Sequence, residues 1–114
     1  QAVRTNDLST VTELTPKELG QPLSAANAAQ MRQMMVGVVE DGTGTAAAID
    51  GAEVGGKTGT AQWGEDRAAH SWYVGYAQTD DRKIAVAVVV EEGGFGSRTA
   101  APIAKDVTEA VIQP

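Results

Sequence analysis

The sequence predicts an α+β fold in which antiparallel strands pack against helices. Three observations carry this reading. Apolar residues from Met31 to Val39 recur at helical spacing, three strand-like segments follow through connections too short for a parallel crossover, and a second helical pattern closes the chain. The 114 residues amount to one small domain, and a hydrophobic content of 42% is enough for a core.

The elements can be justified in order. Val11 and Leu14 sit in a polar, Thr-rich setting before "TPKELGQP", which reads as a short strand or extended arm followed by turns. Ser24 is placed to cap a helix, because its hydroxyl can accept an orphan amide of the first turn. Beyond it, Met31, Met34, Met35, Val38 and Val39 fall at i, i+3, i+4, i+7 and i+8, a stripe expected to face the core of a helix of roughly four to five turns. The run "EDGTG" stops it, with Gly42 as the cap. After the small-residue stretch "GTAAAIDG", the period changes. "VGGKTGTAQ" (Val54 to Gln62) is an extended segment, and "WGEDRA" is a polar loop. In "HSWYVGYAQ", His70, Trp72, Val74 and Tyr76 share one face and Ser71, Tyr73, Gly75 and Ala77 the other. "TDDR" (Thr79 to Arg82) makes a hairpin turn, and "KIAVAVVVEE", nearly all β-branched or small, is expected to be a central strand buried on both faces. A "GGFGS" loop leads to a last helix starting near Thr99. Pro102 stands in its first turn, and Ala100, Ile103, Ala104, Val107 and Val111 form its predicted apolar face.

Composition narrows the function classes. A net charge of −6, with scattered Lys and Arg, argues against nucleic acid as a partner. The absence of cysteine excludes disulfides and thiolate metal sites, and no His, Asp or Glu cluster has the spacing of a zinc or calcium site, so neither metal nor cofactor is expected. His70, the single histidine, has no ligand partner nearby and reads as structural. No stretch approaches the ~20 apolar residues of a membrane span. The opening "QAVRTNDLST" has neither Met nor the pattern of a signal peptide, so the chain reads as part of something larger.

The stretch "GAEVGGKTGT" raises the central question, because it fits two motifs. Gly51, Gly56, Lys57 and Thr58 have the G-x-x-x-x-G-K-T spacing of a phosphate-binding loop. That loop needs a β-branched strand before it and a helix starting at the Lys-Thr. "GTAAAID" precedes it and "TGTAQWGED" follows, and neither fits. Lys57 to Thr60, Lys-Thr-Gly-Thr, also match the third active-site motif of penicillin-recognising enzymes. A strand carrying these residues can offer backbone amides to an oxyanion, and hydroxyls with an ammonium to a carboxylate. A glycine within it lets a ligand come close.

With a helix ending in "GVVEDGTG", then "GKTGTAQ", "HSWYVGYA", a Val-rich strand and a final helix, the whole chain resembles the C-terminal part of a penicillin-binding protein transpeptidase domain. It is most similar to the monofunctional, class B-like proteins of actinobacteria. The resemblance implies a partial β-lactamase/transpeptidase-like domain from a peptidoglycan D,D-transpeptidase that binds β-lactams through an acyl-serine and takes part in cell-wall synthesis, cell shape and division. Carried over, Lys57 and Thr60 are the catalytic residues, Lys57 through its charge at the acylation centre and Thr60 through an oxyanion-hole amide. Thr58, Gly59, Thr60 and Gln62 contact substrate, and Trp63 continues the groove. The implied parent is membrane-anchored with its catalytic domain on the extracytoplasmic face.

The departure from the family pattern is plain. None of Ser9, Ser24, Ser71 and Ser97 has Lys three residues on or Asn two residues on, so the Ser-x-x-Lys and Ser-x-Asn motifs are absent. This chain alone is therefore expected to be inactive, as one portion of the domain. The expected partners are the stem peptide, β-lactams and the N-terminal half of the domain, with dimerisation or swapping where that half is missing. A structural or interaction module of the same fold is the alternative, and a phosphate-loop nucleotide binder the remote one.

Overall fold

The computed structural model describes residues 2–113 apart from 8, 14, 16 and 19. Leu14 of the predicted arm thus lies outside the described residues. The elements run β1 (Ala2–Arg4), β2 (Thr10–Glu13), α1 (Ala25–Asp41), a 3₁₀ turn (Thr45–Ala47), β3 (Glu53–Ala61), β4 (His70–Gln78), β5 (Lys83–Val90) and α2 (Ala100–Ile112). β1 and β2 pair as a separate antiparallel ribbon, and the predicted strand at Val11 belongs to it. β3, β4 and β5 form an antiparallel sheet in that order, as their short connections require.

α1 begins where the sequence predicts. The Ser24 hydroxyl accepts the Asn27 amide at 3.2 Å, and Gly42 closes the helix by donating to the Val38 carbonyl at 3.1 Å. Its Met stripe is another matter. Val39 is buried and Met35 and Val38 are half-buried, but Met31 is 47% and Met34 60% exposed. The expected core-facing stripe therefore holds only in its C-terminal part, and Met31 and Met34 correct the expectation for the rest.

The register defines two faces of the sheet. The back face carries Val54, Gly56, Tyr73, Ala77, Ile84, Val86 and Val88, and α2 packs on it. One cluster joins Val39, Ile49, Val54, Ala77 and Ile112, and a second joins Ala47, Tyr73, Ala100, Ala101 and Ala104. The front face carries Lys57, Gly59, Trp72, Val74, Tyr76 and Val89.

Two expectations about packing need correction. β5 is not the central strand. It is an edge in this sheet, with alternate residues exposed, and the middle place belongs to β4. β-branched content marks a strand but does not order strands in a sheet. The buried face of α2 is also turned from the predicted one. Ala100 and Ala104 are buried as expected, but Ala101, Thr108 and Ile112 join them while Ile103, Val107 and Val111 stay substantially exposed. Small residues let the helix axis settle close to the sheet, and the larger aliphatics then point outward. The start of α2 is satisfied from outside: the fully buried Ser71 hydroxyl on β4 accepts the Ala100 amide at 3.1 Å.

Candidate active site

β3 carries Lys57, Thr58, Gly59 and Thr60 without interruption, and no helix starts at Lys57. The phosphate-loop reading therefore fails, because its anion site is a helix N-terminus. β3 is an edge of its sheet, so alternate backbone groups along it point away from β4.

The Lys57 side chain is exposed on the front face, and its ammonium donates to the Thr58 carbonyl at 2.6 Å. The Thr58 and Thr43 hydroxyls are 2.7 Å apart, which links the strand to the segment after α1. Thr60 lies further along, and its hydroxyl accepts a long 3.5 Å bond from the Gly96 amide. Gly59 lies opposite Trp72, and a Cβ there would come 3.1 Å from the Cβ of Trp72.

The neighbouring glycines have a role that the motif alone does not reveal. A Cβ on Gly55 would lie 2.5 Å from the Tyr76 ring, and one on Gly56 only 2.1 Å from the Tyr73 hydroxyl oxygen. The glycines before Lys57 thus seat one β4 aromatic ring on each face. The alternation of aromatics along "HSWYVGYAQ" was the sequence signal for this, but using it requires the register.

Gln62 and Trp63 stand just past the end of β3, in the loop to β4. The Gln62 amide nitrogen donates to the Gly64 and Arg67 carbonyls, each at 3.2 Å. The Trp63 ring stacks on His70 with centroids 5.0 Å apart, the Arg67 guanidinium lies 4.3 Å from the Trp63 ring centre, and the indole N–H donates to Ala68. Both side chains organise this loop. Arg67 also pairs with Glu92 at 3.1 Å, and His70 Nδ1 accepts the Glu92 amide at 3.0 Å. These bonds hold Glu92 at φ 53, a left-handed conformation that is uncommon outside glycine.

The "GGFGS" loop is anchored at the same end of the sheet. Gly94 donates to the Ala69 carbonyl at 2.8 Å, and a Cβ on Gly96 would lie 2.5 Å from the Gly59 carbonyl oxygen. Gly96 is therefore a place where only glycine lets the loop approach the strand. The sequence shows this stretch only as a loop leading to the last helix; the structure brings it against Gly59 and Thr60.

At the other end of β3, Arg32 on α1 donates to Glu53 at 2.7 Å and to Gln78 at 2.7 Å, and lies 5.3 Å from the Tyr76 ring centre. The Tyr76 hydroxyl also donates to Glu53 at 3.0 Å. The hydrogen bond from Arg32, helped by that from Tyr76, holds the Glu53 carboxyl below its usual range. Among the described residues, no three His, Asp or Glu side chains converge as metal ligands, and no helix is long and apolar enough to cross a membrane.

An edge strand bearing Lys-Thr-Gly-Thr, backed by two antiparallel strands and a C-terminal helix, is the arrangement of a transpeptidase-type domain. Residues 3–109 match the model of the penicillin binding protein transpeptidase domain, and the chain belongs to that family. It is 35% identical over 121 residues to the peptidoglycan D,D-transpeptidase PbpA of Mycolicibacterium smegmatis, covering 99% of this chain and 24% of the relative. Among solved structures it is similar to the D,D-transpeptidase domain of a peptidoglycan glycosyltransferase from Eggerthella lenta, at a TM-score of 0.71 and 36% identity over 97% of this chain and 26% of that one. Penicillin-binding protein A from M. tuberculosis, solved as an imipenem acyl-enzyme complex, superposes at a TM-score of 0.70 with 34% identity over 98% of this chain and 25% of that one. The chain spans about a quarter of the length of these proteins.

Proposed function

We propose that residues 1–114 are the C-terminal portion of a transpeptidase domain that cross-links peptidoglycan stem peptides and is acylated by β-lactams on a serine held elsewhere in the protein. The observation that carries this is the uninterrupted Lys57–Thr60 strand, at a sheet edge with its ammonium exposed, in a chain of this family. Lys57 supplies positive charge at the acyl centre. The Thr60 amide serves the oxyanion, its hydroxyl meets the substrate carboxylate, and Thr58 and Gly59 complete the contact strip. Gln62 acts from the end of the strip, where it fixes the 62–69 loop. The mature protein works in the cell wall, at the extracytoplasmic face of the cytoplasmic membrane. The open front face is where the remainder of the domain seats; without it, that face drives dimerisation or swapping.

One observation favours a second reading, a structural module without catalysis. The hydroxyls of Ser24 and Ser71 are both occupied as helix caps, and no serine here has the Ser-x-x-Lys context. Intact-mass spectrometry of the purified natural protein with and without benzylpenicillin separates the two. The transpeptidase reading expects a single penicilloyl adduct on a polypeptide segment other than 1–114. A protein that gains no adduct supports the module, and an adduct within these residues overturns both.

A further inference from the structure

The turn that ends α1 does more than stop the helix. The amides of Gly42 and Gly44 both donate to the Val38 carbonyl, at 3.1 and 2.9 Å, so Thr43 is held in a tight turn between them. A Cβ on Gly42 would lie 2.8 Å from the Val38 carbonyl oxygen, and the turn closes this far only with glycine there. The Gly44 carbonyl then accepts the Ala47 amide at 2.9 Å and opens the 3₁₀ turn. Thr43 is thus fixed on both sides, and its exposed hydroxyl lies 2.7 Å from that of the half-buried Thr58.

A hydroxyl has one proton to donate and two lone pairs that accept. Two hydroxyls at an ordinary O–H···O distance use one proton between them, which leaves the second free for a third group. The Lys57 ammonium lies against the Thr58 carbonyl at 2.6 Å, so an anion drawn to that charge arrives at the residue that carries the pair. Either hydroxyl can be the donor within the pair, and a bound anion selects one direction.

We propose that Thr43 is a positioning residue for carboxylate recognition: it donates to Thr58 Oγ1, and Thr58 gives its own proton to the carboxylate of the substrate or β-lactam. A hydroxyl that already accepts a bond donates more strongly, and a donor held in one rotamer needs no reorganisation when the anion arrives. The inference rests on the transpeptidase reading and adds to it a residue from outside the Lys-Thr-Gly-Thr strip.

Stopped-flow acylation of the natural protein tests it with two ligands, benzylpenicillin and its methyl ester, which lacks the carboxylate. Thr43→Val puts a methyl in place of the hydroxyl and is expected to slow acylation by benzylpenicillin about 3- to 10-fold, the size of one lost hydrogen bond. Thr43→Ser keeps the hydroxyl and should restore most of the rate. Both variants should melt with the parent, since Thr43 is exposed. Toward the methyl ester, parent and Thr43→Val should react alike, whereas a merely structural tie would slow both ligands. A Thr43→Val protein that keeps the parent's rate with benzylpenicillin overturns the inference alone, as does an equal loss toward the ester. A parent that takes neither ligand overturns the transpeptidase reading, and this inference falls with it.

Discussion

The two faces of the β3–β5 sheet are made from the same three strands and come to opposite ends. On the back face, Tyr73, Ala77 and Ser71 are essentially inaccessible beneath α2 and the 3₁₀ turn. On the front face, Trp72, Val74 and Val89 remain 41%, 45% and 51% exposed, and Met31 and Met34 of α1 stand open as well. Lys57 belongs to the open side. One face stabilises the chain and the other is left open, while the Lys-Thr-Gly-Thr strip is shared between them, Lys57 and Gly59 in front and Thr58 and Thr60 behind; losses of stability should therefore follow strand parity, and losses of function the β3 edge.

The largest expected effect is on the front face and is purely functional. Lys57→Ala in the natural protein should slow β-lactam acylation by about 10²-fold or more, as the loss of one preorganised electrostatic group typically does. Its Tm should stay put, because the side chain is exposed. Stopped-flow acylation beside calorimetry reads both, and a variant that acylates normally breaks the assignment of Lys57.

Next comes the contrast between neighbours on β4. Tyr73→Ala should cost about 3–5 kcal/mol, as truncation of a buried aromatic does. Val74→Ala should cost under about 0.5 kcal/mol in this chain, where the side chain is half open. If denaturant unfolding finds similar losses at both positions, the two faces do not differ as described. A larger Val74 penalty in the natural protein than in this chain would instead show the front face being covered.

The smallest effects lie on the pH axis. The Tyr73 phenol is raised from 10 to about 12, so the stability of its neutral form is complete below pH 10 and is lost as the pH climbs toward 12, at about 1.4 kcal/mol per pH unit. Glu53, on the front face, is shifted the other way by Arg32. Its contribution is present above the ordinary carboxylate value of 4.5 and disappears as the pH falls through its lowered value. Being exposed, it contributes little, and the Tm gap between parent and Glu53→Gln should close in acid. Tyr73→Phe should remove the alkaline limb alone; a shared loss would contradict the assignment to faces.

What was legible in the sequence follows the range of each interaction. The Ser24 cap, the Gly42 stop, the hairpin turn and the antiparallel pairing rest on residues a few positions apart, and they could be read from spacing. The order β3-β4-β5 is set by which strand borders which, and the Val-rich run said nothing about that. α2 turned away from its apolar stripe because the alanines and Thr108 fit closer to the sheet, a matter of shape and not of hydropathy. At the site, the Lys-Thr-Gly-Thr strip was visible as a motif. The seats that Gly55 and Gly56 provide for Tyr76 and Tyr73 were not, since they exist only once β3 is in register with β4. Gln62 reads as a strand residue by pattern, yet its side chain turns into the loop because two carbonyls wait there.

The bond from Ser71 to Ala100 spans 29 positions, and it ties the start of α2 to a distant strand. A helix pays its entropic cost at the first turn, before propagation returns anything. Here one of the amides exposed at that turn is met by a hydroxyl on β4. The start of the C-terminal helix is therefore capped by tertiary structure and not by its own sequence, so its first turn depends on the sheet being in place.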